Sequence, residues 1–378
     1  MYYANKVDNI NNTIEFKNPQ NFLFLKDVNL RFKRFDFFIF RKEKFHNYYC
    51  LDYKFIIFNS IDDILYLIYS GGYNKNIIVL YDLIDDKIKV EIKYGINKEI
   101  FNYRHYLDNN NKIDYVLAMS SDNSLVVLNI NNCVIITKIN FDIYYEEVCT
   151  ACFLNYNNNI HIITSSGNWG PYDKIFQEST RGFNLNGNQF YQYHSNNVTY
   201  CIDSFYDNIQ YKYFLIVGCE GFIKSYEYEN MEKKERIYDF KKTYNYLYKS
   251  IIYNKDKKVK LIEPGTNGEI RIWDFYSPKI LHRIKISKEY GIGGICLWNN
   301  NNLLVACRNK TIKLVILDDN KDNKILDCLD GYNRAVSVIK KVIHPQYGEI
   351  LISKETRDKN KLLDYDGQIK LWINKTFI

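Results

Sequence analysis

The stretch Glu269-Ile-Arg-Ile-Trp-Asp-Phe275 recurs along this chain, and its recurrence decides the fold. Asp366-Gly-Gln-Ile-Lys-Leu-Trp372 repeats its pattern: a polar turn, an alternation of apolar and polar residues, and a closing aromatic residue. Weaker copies end at four further positions, namely Tyr81, Leu128, Tyr226 and Val315. Successive copies end 42 to 57 residues apart, except for one gap of 98 residues, which corresponds to two steps with a degenerate copy near position 177. The sequence therefore predicts seven repeats.

Each repeat divides into four short runs that predict β-strands, here called a, b, c and d. In the first repeat these runs are residues 48–58, 64–69, 77–81 and 87–92. β-Branched and aromatic residues dominate the runs and alternate with polar ones, as in half-buried strands. A period of this length, built from short strands and turns, is typical of a radial β-array. We predict an all-β fold, a seven-bladed β-propeller of four-stranded antiparallel blades.

The two ends of the chain predict how the ring is completed. Few residues follow Trp372, so the last blade lacks its own outer strand, whereas residues 37–45 precede the first blade as an additional strand. An open blade would expose unpaired backbone groups along its edge. We therefore predict that the N-terminal strand 37–45 pairs with the last blade and closes the ring. This divides the chain into an N-terminal extension, residues 1–36, and the propeller, residues 37–378.

Composition indicates the cellular compartment of the protein more clearly than its chemistry. The 378 residues contain 51 basic and 44 acidic side chains, and a net charge of +7 permits an acidic partner without requiring one. The nine cysteines are scattered through predicted strands, which suits a reducing compartment. The first residues lack the features of a signal peptide, and no apolar run could span a bilayer. We expect an intracellular protein of the cytoplasm or nucleus.

The repeated motif resembles that of the WD-repeat β-propeller family from about residue 37 onward. The matching stretches are Ile270-Arg-Ile-Trp-Asp274 with Asn267, Ile369-Lys-Leu-Trp372 with Asp366, and the hairpin from His344 to Ser353. The resemblance implies a polar network joining a turn carboxylate or amide, a hydroxyl on strand b, a Trp on strand c and a His before strand a. This chain departs from that network: Leu128 and Val315 replace Trp, and no Gly-His pair precedes the a strands. We expect packing to hold the blades together with the network mostly absent.

The residues that could carry chemistry have simpler structural explanations. Cys149-Thr-Ala-Cys152 lacks the second pair that a zinc site needs, and it falls within a predicted inner strand. No two of the six histidines share a short metal-ligand spacing. Gly291-Ile-Gly-Gly294 lacks the Lys-Ser/Thr end of a phosphate loop and is better explained by tight entry into an inner strand. We predict no catalytic residues, no metal site and no cofactor.

Long connections between strands b and c are the best candidates for partner binding. In the third blade this connection carries Asn168, Trp169 and Tyr172 among glycine and proline, where a large aromatic side chain is poorly placed for the core. The corresponding connections of the first and last blades contribute Tyr73 and four basic residues, Lys354, Arg357, Lys359 and Lys361. All b–c connections of a propeller leave on one face. Because WD-repeat proteins generally bind peptides or domains on their faces, the resemblance implies a non-catalytic scaffold binding a protein or peptide, with an acidic partner possible.

The same sequence leaves two other binding functions open. The segment Arg31–Lys44 interleaves basic and aromatic residues, and with Lys354–Lys361 it could bind RNA or a ribonucleoprotein through phosphate contacts and stacking. We favour another explanation of Arg31–Lys44: an outer strand with aromatic residues inward and charges toward solvent, where Lys and Arg also protect an exposed edge. Phosphoinositide-binding propellers use a Phe-Arg-Arg-Gly motif, which Ser179-Thr-Arg-Gly182 does not match. The sequence identifies neither the partner nor the oligomeric state.

Overall fold

A computed structural model gives the structure of the chain. It describes the following residues: 22–28, 55–71, 77–85, 87–94, 100–141, 147–167, 178–195, 199–219, 221–230, 235–239, 250–255, 258–265, 267–288, 290–299, 301–317, 324–329, 332, 334–355 and 369–374.

The described residues form 28 β-strands and one single-turn 3₁₀ helix at Tyr228–Asn230. The strands are β1 (Phe22–Val28), β2 (Phe55–Asn59), β3 (Leu65–Gly71), β4 (Ile77–Asp82), β5 (Lys87–Lys93), β6 (Ile100–Asp108), β7 (Ile113–Ser120), β8 (Ser124–Asn129), β9 (Val134–Asn140), β10 (Glu147–Tyr156), β11 (Asn159–Gly167), β12 (Glu178–Asn184), β13 (Gln189–Ser195), β14 (Thr199–Asp207), β15 (Lys212–Cys219), β16 (Phe222–Glu227), β17 (Glu235–Asp239), β18 (Ile251–Lys255), β19 (Lys258–Pro264), β20 (Glu269–Asp274), β21 (Ile280–Lys285), β22 (Ile292–Asn299), β23 (Asn302–Cys307), β24 (Ile312–Ile316), β25 (Lys324–Leu329), β26 (Val336–His344), β27 (Gly348–Glu355) and β28 (Ile369–Asn374).

These strands form seven four-stranded sheets, which confirms the predicted seven-bladed β-propeller class. Six sheets take four strands consecutive in the chain, from β2–β5 to β22–β25. Consecutive strands within these sheets pair in antiparallel register; most are joined by short turns, and some by longer connections such as residues 168–177. The third repeat, whose motif is degenerate, still forms a complete sheet from β10 to β13.

The last sheet is completed by a strand from the start of the chain, but not by the predicted one. β1 pairs with β28 in antiparallel register, with Phe24 opposite Trp372 and Val28 opposite Ile369. The prediction of an N-terminal strand in the last blade is confirmed, and the choice of residues 37–45 for that strand is wrong. Residues 22–28 belong to the segment predicted as an extension, and residues 37–45 lie outside the described residues. Both segments are apolar and aromatic. One edge of β28 pairs with β27, so a single edge is left for an N-terminal strand, and composition could not decide which segment takes it.

The chain folds into two compact units, each with its own apolar core. One unit comprises residues 34–206 and 211–235, and there the apolar faces of β2–β5, β6–β9, β10–β13 and β14–β16 bury side chains such as Phe58, Leu117 and Leu215. The other comprises residues 1–33, 207–210 and 236–378, and its core joins β18–β21, β22–β25 and β26–β28 through residues such as Ile262 and Leu304. Burial of apolar surface contributes about 25 cal/mol per Å², so these cores dominate the stability of each unit.

One part of the polar network expected from the family resemblance is present in the last sheet. Trp372 Nε1 donates to Ser353 Oγ at 3.0 Å, and the hydroxyls of Tyr332 and Ser353 lie 2.8 Å apart. Tyr332 precedes β26, at the position where the family pattern has His. The last sheet therefore contains a Trp–Ser–Tyr series of contacts that matches part of the expected network, with a phenol where an imidazole was expected.

Candidate functional site

Most of the predicted partner-binding residues lie outside the described residues. These are Tyr73, Asn168, Trp169, Tyr172, Arg357 and Lys359. Lys354 is described: it lies on β27, its side chain is half-buried, and its backbone pairs with Ile369 of β28. The strand limits place the other residues in the connections 72–76, 168–177 and 356–368, each of which joins strand b to strand c of its blade. This binding surface therefore stays a prediction.

The described residues contain an aromatic cavity at the other end of the third and fourth blades. Its volume is about 310 Å³, and it is lined by Tyr156, His161, Phe190, Tyr191, Tyr228 and Glu229. The lining residues come from the end of β10, the start of β11, the start of β13 and the 3₁₀ turn that follows β16. Antiparallel pairing brings these strand ends to one edge, whereas the connection 168–177 joins β11 to β12 at the opposite edge.

Hydrogen bonds fix two pairs of side chains in this aromatic cavity. His161 Nδ1 lies 3.0 Å from the hydroxyl of Tyr228, so the 3₁₀ turn of the fourth blade is tied to β11 of the third. The hydroxyl of Tyr156 donates to Glu229 Oε1 at 2.9 Å. Both bonds join the third blade to the residues after β16, and they hold the rings of Tyr156 and Tyr228 in place.

The rings of the cavity contact one another at an inclination rather than in parallel stacks. The ring centroids of Tyr156 and Tyr228 are 5.2 Å apart with planes inclined by 63°, and those of His161 and Phe190 are 4.5 Å apart at 51°. The Tyr191 and Tyr228 centroids are 6.4 Å apart at 54°. The rings therefore pack against one another along one open depression.

A β-bulge places Phe190 at the rim of the cavity. The register of β12 with β13 passes from Gly182 opposite Tyr191 to Phe183 opposite Gln189, which leaves Phe190 as the additional residue. The Phe190 side chain is 49% exposed, and a Cβ on Gly182 would lie 3.0 Å from its ring. Bulges redirect side chains at sheet edges. The glycine and the bulge together thus make room for a half-exposed aromatic ring.

Burial and a hydrogen bond shift the pKa values of the ionisable rings of the cavity toward the neutral form. Desolvation lowers the pKa of His161 below its ordinary 6.5, so its imidazole is uncharged at neutral pH. Desolvation also raises the pKa of Tyr228 to about 12. The hydrogen bond to Glu229 is the main cause of the raised pKa of Tyr156. The cavity therefore combines neutral rings with a single carboxylate, that of Glu229.

This cavity was not predicted from the sequence. His161 falls in an apolar strand and was assigned no role, and the other lining residues lie between 5 and 73 positions from Tyr156 along the chain. The available signal was an aromatic residue at the same end of several strands, as with Tyr156 at the end of β10 and Tyr228 directly after β16. Tyrosine is too frequent here, with 35 residues, for that signal to be noticed.

The remaining candidates from the sequence have structural roles or lie partly outside the described residues. Cys152 is a free cysteine and is 2% exposed, and desolvation raises its pKa well above the ordinary value. Nothing is described for the side chain of Cys149. Within the described part of the chain, no group of three or more His, Cys, Asp and Glu side chains could hold a metal ion. No described helix has the length and apolar character needed to cross a membrane.

Comparison with known proteins supports the fold and goes no further. No protein-family model matches the sequence, and no curated protein matches it. Among solved structures, Raptor from Chaetomium thermophilum is similar with a TM-score of 0.59 and 14% sequence identity. The alignment covers 84% of this chain but only 27% of that protein. The chain therefore spans about a quarter of the length of Raptor, and this identity shows a shared fold alone.

Proposed function

We propose that this protein is a non-catalytic interaction module that binds a partner protein or peptide at the ends of its blades. The aromatic cavity carries the proposal. Five ring-bearing side chains and one carboxylate line an open space of about 310 Å³. Tyrosine is enriched among the residues that dominate binding energy at interfaces, because it offers large contact area and a polar tip. A half-exposed ring such as Phe190 provides the apolar contact that such interfaces bury.

The chemistry of the lining favours binding over catalysis. A general acid or base works best when its pKa lies near the operating pH. The pKa of Tyr228, about 12, makes its phenol a poor acid at neutral pH, and His161 Nδ1 is engaged with that phenol. The six lining residues include no serine, cysteine or lysine that His161 could activate as a nucleophile.

A second contact surface, the loop surface, is proposed on the b–c connections. It comprises Tyr73, Asn168, Trp169, Tyr172, Lys354, Arg357 and Lys359. Its support is the length of two connections, 168–177 and 356–368, which are much longer than the corresponding connection 121–123 of the second blade. Long loops on rigid scaffolds commonly carry binding residues. Aromatic anchors beside basic residues would suit an acidic partner.

Affinity capture with matched variants tests both surfaces. We expect Trp169→Ala with Arg357→Glu to abolish recovery of an acidic partner, and Phe190→Ala with Tyr228→Ala to remove partners held at the aromatic cavity. The control is Tyr211→Asn, which changes a 77% exposed tyrosine at a left-handed position that Asn tolerates. The free energy of unfolding of the loop-surface variant, measured by thermal unfolding, should stay within about 0.5 kcal/mol of the wild-type value, as for most surface substitutions.

Identical recovery by wild type and both variants would contradict the proposed function. The alternative, an RNA- or ribonucleoprotein-associated propeller using Arg31–Lys44 and Lys354–Lys361, is distinguished by salt. Contacts to six or more phosphates weaken binding by about a thousandfold or more between 50 and 200 mM salt. An interface anchored by aromatic residues should weaken far less over the same range.

A further inference from the structure

We propose that the aromatic cavity binds a methylated lysine side chain of a partner peptide, with the methylated ammonium among the ring faces and Glu229 beside it. This inference rests on the proposed function, because it names the ligand of the same cavity. The chemistry it requires is a set of aromatic faces around a space of side-chain size, a negative charge and no competing positive charge.

Five aromatic side chains line the cavity, which supplies the aromatic surface of the first requirement. Tyr228 neighbours three of the other rings: its centroid lies 5.2 Å from Tyr156, 6.0 Å from His161 and 6.4 Å from Tyr191. The Phe190 ring adjoins His161, with the two ring centroids 4.5 Å apart. A cation held within about 6 Å of several ring centroids is attracted by the negative faces of each ring, and quaternary ammonium groups are bound in such aromatic cages.

The charges of the lining meet the second requirement. Glu229 is the one acidic residue among the six, and no lysine or arginine is among them. Its hydrogen bond from Tyr156 at 2.9 Å holds the carboxylate against the aromatic wall. Because burial lowers the pKa of His161, the imidazole offers a neutral face that does not repel a cation at pH 7. The site therefore attracts positive charge from both its rings and its carboxylate.

The same arrangement discriminates against an unmodified lysine. A primary ammonium is a compact, strongly hydrated donor of three hydrogen bonds, and entering the cavity would cost it water that ring faces do not replace. Methylation removes N–H donors and adds apolar surface, so the methylated group loses less hydration free energy when it leaves water. Phe190, 49% exposed at the rim, is positioned to cover the aliphatic stem of the bound side chain.

A peptide suits the cavity better than a choline headgroup of a lipid. The phosphate of phosphocholine follows its ammonium closely, and here it would come near the Glu229 carboxylate without an arginine or lysine of the lining to pair with. A lysine side chain brings no negative charge. The volume of about 310 Å³ lies at the small end of ligand pockets, which suits one inserted side chain.

The test uses the full chain and fluorescent peptides with one central lysine flanked by randomised residues. Four forms of that lysine are compared: unmodified, monomethylated, trimethylated, and the neutral carbon isostere of trimethyllysine. We expect the trimethylated form to bind about tenfold more tightly than the unmodified form and than the isostere, as cation–π energies in desolvated sites predict. The isostere has the same shape, so its weaker binding isolates the contribution of charge.

Substitutions then connect this preference to the cavity. Tyr228→Ala and Tyr191→Ala should abolish the preference for trimethyllysine, while Tyr228→Phe, which keeps the ring but loses the bond to His161, should retain most of it. Glu229→Gln should weaken trimethyllysine binding several-fold, as expected from the loss of a nearby opposite charge. Tyr211→Asn should leave every affinity unchanged, and thermal unfolding of each variant checks that it is folded.

Each contrary outcome has a distinct meaning. Equal binding of unmodified and trimethylated peptides, or of trimethyllysine and its isostere, overturns the methyl-lysine inference. Binding of phosphatidylcholine vesicles in preference to the peptides overturns it in favour of a membrane. If the peptides show no preference but the cavity variant still loses captured partners, the proposed function stands and this inference fails. A methyl-lysine preference that survives Tyr228→Ala places the binding site elsewhere and also overturns it.

Discussion

Gly293→Ala should destabilise the protein by about 3 kcal/mol or more, because an added methyl group would overlap the backbone of a neighbouring sheet. A Cβ at Gly293 on β22 would lie 2.1 Å from the carbonyl oxygen of Val336 and 3.0 Å from the α-carbon of Ser337. Both neighbours belong to the backbone at the start of β26, which cannot move aside as a flexible side chain could. The pattern Gly291-Ile-Gly-Gly294 predicted tight entry into an inner strand, and this close approach gives the reason.

The adjacent glycine provides a matched control. A Cβ at Gly294 would lie 3.3 Å from the carbonyl oxygen of Ser337, a distance that a small adjustment can relieve. We expect Gly294→Ala to cost less than about 1 kcal/mol, because part of the strain is offset by the lower entropy of the unfolded chain. Urea unfolding of both variants measures the difference. Equal stability of the two would show that β22 and β26 do not approach as closely at Gly293 as described.

Arg271→Met should destabilise the protein by about 3–5 kcal/mol at pH 7.5, the usual cost of leaving a buried charge without its partner. Arg271 is 2% exposed and Glu263 is 0% exposed, and Arg271 Nη1 lies 3.3 Å from Glu263 Oε2. Arg271 Nε also donates to Glu269 Oε1 at 3.0 Å. Methionine replaces most of the volume of the arginine stem, so the measured loss of stability reports mainly the removal of the guanidinium charge. Chemical unfolding at several pH values is the measurement.

The pH dependence of that loss follows from Glu263. Burial raises the pKa of this carboxyl from 4.5 to about 7, although the nearby Arg271 lowers it. An acid whose pKa is higher in the folded state binds more protons when folded. The folding stability that comes from this raised pKa is fully present below pH 4.5 and is lost as pH rises through about 7. The total loss is roughly 3 kcal/mol. Without Arg271 the pKa of Glu263 should rise further, so Arg271→Met should cost more at pH 7.5 than at pH 5.5.

Glu263→Gln is the control for this pH dependence. The amide keeps the shape of the carboxyl and does not ionise, while Arg271 retains its contact with Glu269 at 3.0 Å. The fall in stability between pH 4.5 and 7 that Glu263 causes should disappear in this variant. A cost of Arg271→Met that does not change with pH would instead indicate that packing of the arginine stem, and not its charge, stabilises this site.

The predicted fold was recoverable from local patterns. The spacing of the motif ending at Trp273 and Trp372 predicted the number of blades, and alternation in each repeat predicted strands close to those observed, such as β4 and β5. These properties depend on neighbours in sequence, because within each repeat a strand pairs with the strands that precede and follow it along the chain. The third blade was counted correctly even though its motif is degenerate, whereas the limits of its last two strands were not predicted.

The site depended on contacts that no local pattern contains. Tyr156 and Tyr228 are brought to 5.2 Å across two blades, and the aromatic cavity exists only after they meet. Sequence alone determined the class of the fold, the number of its blades and most of its strands, because hydrogen-bonded neighbours are close along the chain. Tertiary structure decided which N-terminal segment completes the last sheet, why Gly293 must be glycine and where aromatic side chains gather beside Glu229. Each of these depends on the distance between segments remote in sequence, which periodicity does not encode.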